Sequence, residues 1–303
     1  METRRNSRPI ADIGRPKKLI LFFLAPPLLL YLLFLVYPML RVLKLSFYRG
    51  SAASKTYTFV GIENFTTLLK DGNFWNALWH NILFIAIAGS ATLILALILA
   101  QGLVYCARGR SFFRTVFLFP NVMAVVAIAV LWSFIYNPSF GILNALLRLL
   151  HLDILSHAWL GEPQTALFSI MVIQVWSAVG FYMVLFYAGL LNIPREIIEA
   201  ARIDGANGFQ IFFTINLPLL SELLQIAIIY IIINSLNIFS LVFIINEGQA
   251  SRYNDVLLTY LYEQGFTNGN FGYACAIGVA ILLIVVTITM LVARIFARRT
   301  VEL

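Results

Sequence analysis

The chain reads as an all-α integral membrane protein with six transmembrane helices and both termini on the cytoplasmic side. Three observations lead there. Of its 303 residues 61% are hydrophobic and only 12% are charged, too apolar a composition for a soluble domain. Six apolar runs have roughly the 20 residues needed to cross about 30 Å of hydrocarbon. The Lys and Arg residues behind the net charge of +7 sit in the gaps between those runs. That distribution orients a membrane protein and argues against nucleic acid as a partner, leaving the lipid bilayer as the expected surroundings.

Residues 1–18 carry Arg4, Arg5, Arg8, Arg15, Lys17 and Lys18 and are expected to form a cytoplasmic basic N-terminus. The first span follows at 19–40, too long for a signal-peptide core and without a small-residue cleavage site. Pro26 and Pro27 fall near its start, where a kink is tolerable. A long connection at 41–79 offers Phe59, Trp75 and Trp79 as interfacial anchors. The second span, 82–105, carries Gly89, Ser90, Ala91, Ala96 and Ala100, small residues that let helices pack closely.

Arg108, Arg110 and Arg114 form a basic turn before a third span at 115–136, which contains Pro120 and Asn121. The fourth, fifth and sixth spans are expected at 165–191, 217–245 and 271–295. With the N-terminus inside, fourteen Lys/Arg fall in cytoplasmic segments and seven outside, five of the latter in the 41–79 connection. The inverted arrangement would put fourteen outside, so the 192–217 loop is read as cytoplasmic.

That loop contains EAARIDGANGFQIFFTINLPLL, which reads as two short helices broken at Asp204-Gly205 and stopped at Pro218. Asn192 and Asn207 are the expected caps, with Pro194 in the first turn of the first helix. Two readings compete: an ordinary surface loop, or a docking element. For docking, Ala200 and Ala201 flank Glu199 with almost no side chain, so another protein can approach closely. Ile197, Ile198, Phe209, Phe212 and Phe213 supply apolar knobs.

Chemistry is otherwise sparse. There is no Gly-x-Ser-x-Gly, no His-Glu-x-x-His and no nucleotide-cradling Gly-rich loop followed by Lys, so no enzymatic activity and no bound cofactor is expected. His80, His151 and His157 read as loop or run-end residues, and two distant cysteines, Cys106 and Cys275, make neither a disulfide nor a metal site. The runs lack mid-membrane charges, Glu222 about a turn into the fifth being the nearest, which argues against proton coupling.

Uncharged polar residues do lie at depth: Gln174, Trp176, Ser177 and Tyr182 on the fourth span, Asn234, Ser235 and Asn237 on the fifth. An unpaired amide in lipid costs several kcal/mol, so these residues either bond between helices or line a water-filled path. Amides with Trp or Tyr suit a polyhydroxylated solute, whose hydroxyls they bond and whose C–H face they stack on.

Glu199, Ala200, Ala201, Gly205, Ile215, Leu217 and Pro218 stand at the spacing of the cytoplasmic loop signature of binding-protein-dependent ABC importer permeases, which the segment resembles without a mismatch. EAARIDGA, LFFLAPPLLLYLLFLVYPML, FVGIENF and FGYACAI resemble the first permease subunit of the carbohydrate-uptake branch, of maltose, multiple-sugar and glycerol-3-phosphate type. The resemblance implies a type I importer permease in a bacterial or archaeal cytoplasmic membrane. It implies a second homologous permease, two copies of a cytoplasmic ATPase that uses the ATP, and an extracytoplasmic solute-binding protein. It also implies that 195–213 holds the coupling helices, with Glu199, Ala200, Ala201 and Gly205 carried over by the motif and Asp204 and Phe209 beside them. Tyr182 and the polar cluster of the fifth span lie where maltose-type members bind sugar. A glycerol-3-phosphate or polyol importer and an ion-coupled secondary transporter are the alternatives.

Overall fold

A computed structural model describes residues 17–51, 56–106, 108–248 and 251–297. Most of the basic N-terminus, and Arg298 and Arg299, lie outside the described residues. Helix α1, Phe22–Leu45, continues a helix that begins at Lys17 and accommodates Pro26 and Pro27. It loosens into a π turn at Leu32–Val36 just ahead of Pro38, whose missing N–H no carbonyl of the preceding turn can use. Its apolar window is wholly unburied, so lipid or another chain must cover it.

A two-residue ribbon, β1 Tyr48–Arg49 against β2 Thr58–Phe59, leads to α2, Glu63–Lys70. Helix α3 then runs Gly72–Tyr105. The expected second span began ten residues later, because hydropathy does not register a cap: the Asp71 carboxylate accepts the Asn73 N–H at 2.9 Å and starts the helix in polar sequence. At 34 residues α3 is about 51 Å long, so its first turns stand clear of the hydrocarbon. The 41–79 connection is correspondingly shorter than expected.

The third span expected at 115–136 is instead two helices, α4 Arg110–Val122 and α5 Val125–Ile135, bent by 100°. Pro120 leaves the Val116 carbonyl without its helical donor, and Met123 and Ala124 adopt extended backbone, with ψ of 146° and 136°. Short helix α6, Ile142–Leu149, precedes α7, Ala166–Leu191. After the loop come α8 Arg195–Ile203, α9 Gly208–Leu219, α10 Ser221–Ile245, α11 Leu257–Tyr262 and α12 Phe271–Phe296. Among the described residues five helices are long and apolar enough to span a membrane, or six when the bent α4–α5 pair counts as one.

Helix α7 is the centre of the bundle, with α3 and α4 packed along it. Ala96 and Ala100 of α3 are fully buried, and an added Cβ at Gly89 would meet the Ile231 side chain at 2.7 Å, so the small residues of this span do permit close approach. An added Cβ at Gly180 would lie 1.9 Å from the Phe117 carbonyl oxygen; α4 rests on bare α7 backbone there. Buried Asn81 ties three helices: its Nδ2 donates to the Ser235 carbonyl at 2.6 Å and its Oδ1 accepts the Leu257 N–H at 2.8 Å. Both amide groups thereby gain the partners that lipid withholds.

Candidate functional site

Two regions carry the sequence-predicted residues. The first is the loop between α7 and α10. Helix α8 rests Ile198 on the core formed by Leu190, Ile193 and Leu220, and leaves Glu199 and Ala200 exposed on its other side. The helix closes by a Schellman motif: Ala206 N–H donates to the Ala201 carbonyl at 2.9 Å and Gly205 N–H to the Arg202 carbonyl at 3.1 Å. Gly205 has φ +84°, a left-handed conformation that a Cβ penalises.

Asn207 then starts α9 with a capping box, its Oδ1 accepting the Gln210 N–H at 2.9 Å while Gln210 Oε1 accepts the Asn207 N–H at 2.8 Å. Two expectations fail here. Asn192 does not cap α8; it ends α7, and extended Pro194 leads into α8 with no side-chain cap. Pro218 does not stop α9, because the π turn Phe212–Asn216 takes up the carbonyl mismatch and the helix ends at Leu219.

The surface so built is apolar where a loop is normally polar. Ile203 is 87% exposed and Phe209 73%, while Phe213 packs against Phe209 with ring centroids 4.5 Å apart and planes tilted by 48°. Ile211, 2% exposed, seats α9 on the bundle. Asp204 is exposed beside Gly205, Ala201 is half-buried, and no hydrogen bond or ion pair among the described residues engages the Glu199 side chain.

The second region is a cleft at the α4–α5 bend. Two adjoining cavities of about 190 and 270 Å³ share Val125, Ile128, Gln174, Ser177 and Asn234. Asn237 lines the smaller and Tyr182 the larger. No Asp, Glu, Lys, Arg or His lines either.

Asn234 Nδ2 donates to the Tyr230 carbonyl and Asn237 Nδ2 to the Ile233 carbonyl, both at 2.8 Å. Such bonds four residues back compete with the helix, and α10 breaks at 237–239. Tyr182 and Asn234 line the larger cavity together. The remaining amide donors and acceptors face an uncharged, partly aromatic space, suited to hydroxyl groups.

Trp176 and Ser235 are not in these cavities. Each is one residue, about 100° of helix, from a residue that is. Trp176 packs edge-on to Trp132 at 5.6 Å, and buried Ser235 faces Gly89 and Thr92 around a void of about 20 Å³. The cleft adds lining residues not chosen from sequence, Asn121 from α4, Phe181, Tyr230 and Phe239, and also takes in Ser240, a turn beyond Asn237. The Pro120-Asn121 pair inside an apolar run was the available signal for the first.

At the opposite end of the bundle from the α8–α9 loop, a polar clamp joins α3, α11 and α12. The Asp71 carboxylate accepts from the Tyr273 hydroxyl at 2.5 Å and from the Tyr260 hydroxyl. Burial opposes ionisation of Asp71, but these two bonds and the N–H groups of Asn73 and Phe74 outweigh it and hold the carboxyl below its usual pKa. Nearby, Arg252 bridges Asp255 at 3.1 Å and Glu263 at 2.7 Å, and burial raises the pKa of Asp255. His80 holds the Asp255 carbonyl at 2.7 Å, His157 pairs with Glu162 at 2.9 Å, and no metal-holding group of side chains occurs among the described residues.

Residues 92–302 match the family described as the binding-protein-dependent transport system inner membrane component. The chain is 36% identical to the probable ABC transporter permease protein YurN of Bacillus subtilis, covering 92% of this chain and 96% of that one. It is 34% identical to the diacetylchitobiose uptake system permease protein NgcF of Streptomyces coelicolor, over 95% and 87%. With the sn-glycerol-3-phosphate transport system permease protein UgpA of Brucella abortus it shares 31% identity, over 94% and 97%. A chain of a bacterial ABC transporter involved in the import of the acidic polysaccharide alginate has the same fold, with TM-score 0.82, 23% identity and coverage of 96% and 98%. The chain thus belongs to the family of binding-protein-dependent transport system inner membrane components, as an ABC permease subunit and not an enzyme.

Proposed function

We propose that this subunit passes a neutral saccharide through the cleft at the α4–α5 bend, driven by an ATPase that grips the α8–α9 loop. The observation that carries the substrate class is the cleft lining: Gln174, Ser177, Asn234 and Asn237 with Tyr182, Phe181 and Tyr230, and no charge. Hydroxyls take the amides, and a sugar's C–H face takes the rings. The diacetylchitobiose uptake permease among the relatives supports the reading. A phosphate would favour Arg or Lys in the cleft, which weighs against glycerol-3-phosphate despite the relatives named for it.

Coupling rests on the exposed loop. Glu199, Ala200, Ala201, Asp204 and Gly205 present a closely approachable turn, and Ile203 and Phe209 present knobs that fit a groove. In this proposal the chain pairs with a second permease, two cytoplasmic ATPase subunits and an extracytoplasmic binding protein. It binds no cofactor of its own, since the ATPases use the ATP. The loop lies on the cytoplasmic side, and ATPase closure rocks the bundle between inward and outward openings.

The test is uptake by the whole transporter, with its binding protein, of radiolabelled maltose, N,N′-diacetylchitobiose and sn-glycerol-3-phosphate. ATP-dependent uptake of a saccharide, reduced by Asn237→Ala, is expected. Uptake of glycerol-3-phosphate alone, or solute movement without ATP, would overturn it.

A further inference from the structure

The amide pair that joins α9 to α3 is only half made. Asn216, 3% exposed at the end of the Phe212–Asn216 π turn, donates its Nδ2 to Gln101 Oε1 at 3.3 Å. The Asn216 Oδ1 is buried and accepts from no donor among the described residues. Gln101 Nε2, on the same amide as the acceptor, makes no hydrogen bond among those residues either. A second pair in the chain shows the completed form. Asn246 and Asn254 exchange both bonds, each Nδ2 donating to the other's Oδ1, at 2.8 and 2.9 Å. A buried carbonyl oxygen without a donor is costly, so an arrangement that supplies one is favoured.

The pair stands between the loop and the cleft. Gln101 and Tyr105, one turn apart on α3, both reach α9: an added Cβ at Gly208 would lie 3.9 Å from the Tyr105 hydroxyl. About 14 Å along α3 from Gln101, Thr92 borders a small void with Gln174, Tyr182 and Asn234, which also line the cleft. One continuous helix thus meets α9 near its end and the cleft wall further along. The π turn that carries Asn216 holds an extra residue, a distortion frequent at functional sites.

We propose that Gln101 and Asn216 are positioning residues that form a latch, closing into a two-bond amide pair when the ATPase presses the α8–α9 loop against the bundle. The proposal rests on the coupling reading above and names the contact through which the loop moves the cleft. In the latched form Gln101 Nε2 donates to Asn216 Oδ1, and the unpaired oxygen gains its donor. That bond belongs to the engaged state alone, so it biases α3 to move with α9. Without it, ATP is hydrolysed while α3 stays behind.

The experiment uses the whole transporter in proteoliposomes, with its ATPase, second permease and binding protein. It reads solute imported per ATP hydrolysed, and the thermal midpoint, with whichever of maltose, N,N′-diacetylchitobiose or sn-glycerol-3-phosphate is transported. Gln101→Glu keeps an acceptor for the bond already present and removes the donor of the second. It is expected to lower import per ATP about 3- to 10-fold with the thermal midpoint unchanged. Replacing both amides, Gln101→Leu with Asn216→Leu, removes the unpaired oxygen and is expected to hold the midpoint while import per ATP stays as low. The exchanged pair, Gln101→Asn with Asn216→Gln, keeps both amides and is expected to restore the ratio to within about twofold of wild type. A merely structural pair would instead let the Leu pair recover import together with stability. Wild-type import per ATP from Gln101→Glu or from the Leu pair, or an exchanged pair as impaired as Gln101→Glu, would overturn the latch. If Glu199→Lys still abolishes uptake in that case, the coupling reading stands. A Glu199→Lys transporter that keeps its ATPase and its uptake would overturn both.

Discussion

The α8–α9 loop and the α4–α5 cleft solve opposite problems. The loop concentrates its information in about twenty consecutive residues, and most of its key side chains project outward: Glu199 and Ala200 are exposed, and so are Ile203 and Phe209. The cleft gathers single residues from α4, α5, α7 and α10 around cavities that exist only because two helices break there. A handle gripped by another protein has to be local and stiff, which a Schellman stop followed by a capping box supplies. A solute path has to be assembled from helices that move against one another, and its parts are therefore scattered along the chain.

That contrast orders the expected effects of substitution. The largest is Gly180→Val: its Cβ would collide with the Phe117 carbonyl, α4 would be driven off α7 and the cleft lost. An immunoblot of membrane fractions should show the protein largely gone. Glu199→Lys should lower uptake on the order of 100-fold, as loss of an interface hot spot does, with membrane insertion unchanged. If uptake persists, the loop is not the handle.

Asn234→Ala should act on recognition alone, raising the KM for the transported saccharide about tenfold, the effect of one lost hydrogen bond in a closed site. Gly205→Ala should cost uptake about three- to tenfold through left-handed strain, while Gly205→Asn, better suited to that conformation, keeps more activity. Equal losses from the two would mean that φ at this position is irrelevant to coupling.

Asp71→Asn is the mildest. It should lower the thermal midpoint of the purified protein by a few degrees, an effect of about 1 kcal/mol. Because the native pKa of Asp71 is depressed, the carboxylate's contribution is present above its unfolded value of 3.8 and lost as pH falls below it. The difference between wild type and Asp71→Asn should therefore close in an acid titration near that pH.

The same contrast explains what was legible in the sequence. Spans 165–191 and 271–295 match Ala166–Leu191 and Phe271–Phe296 nearly to the residue, since length and apolarity are local properties. The Gly205 break and the Asn207 cap were readable for the same reason. The 100° bend was not: Val122 to Ala129 is apolar throughout, and hydropathy cannot tell a continuous helix from a broken one. Five of the six polar residues predicted on α7 and α10 for the solute path, Gln174, Ser177, Tyr182, Asn234 and Asn237, line the cleft. Only Ser235, of those six, points elsewhere, as does the aromatic Trp176, because choosing residues by depth ignores helix phase. Asn192 failed as a cap because α7 runs on into it and Pro194 sets the entry to α8.

The measurement that bears most directly on this division of labour is co-purification of the chain from detergent-extracted native membranes, followed by mass spectrometry and an ATPase assay. The wild-type chain should bring down a P-loop ATPase and a second permease. Asn234→Ala should bring down the same partners, and Glu199→Lys should lose the ATPase. A wild-type chain that purifies alone and moves solute into liposomes without ATP, or a Glu199→Lys chain that keeps its ATPase and its uptake, would contradict it.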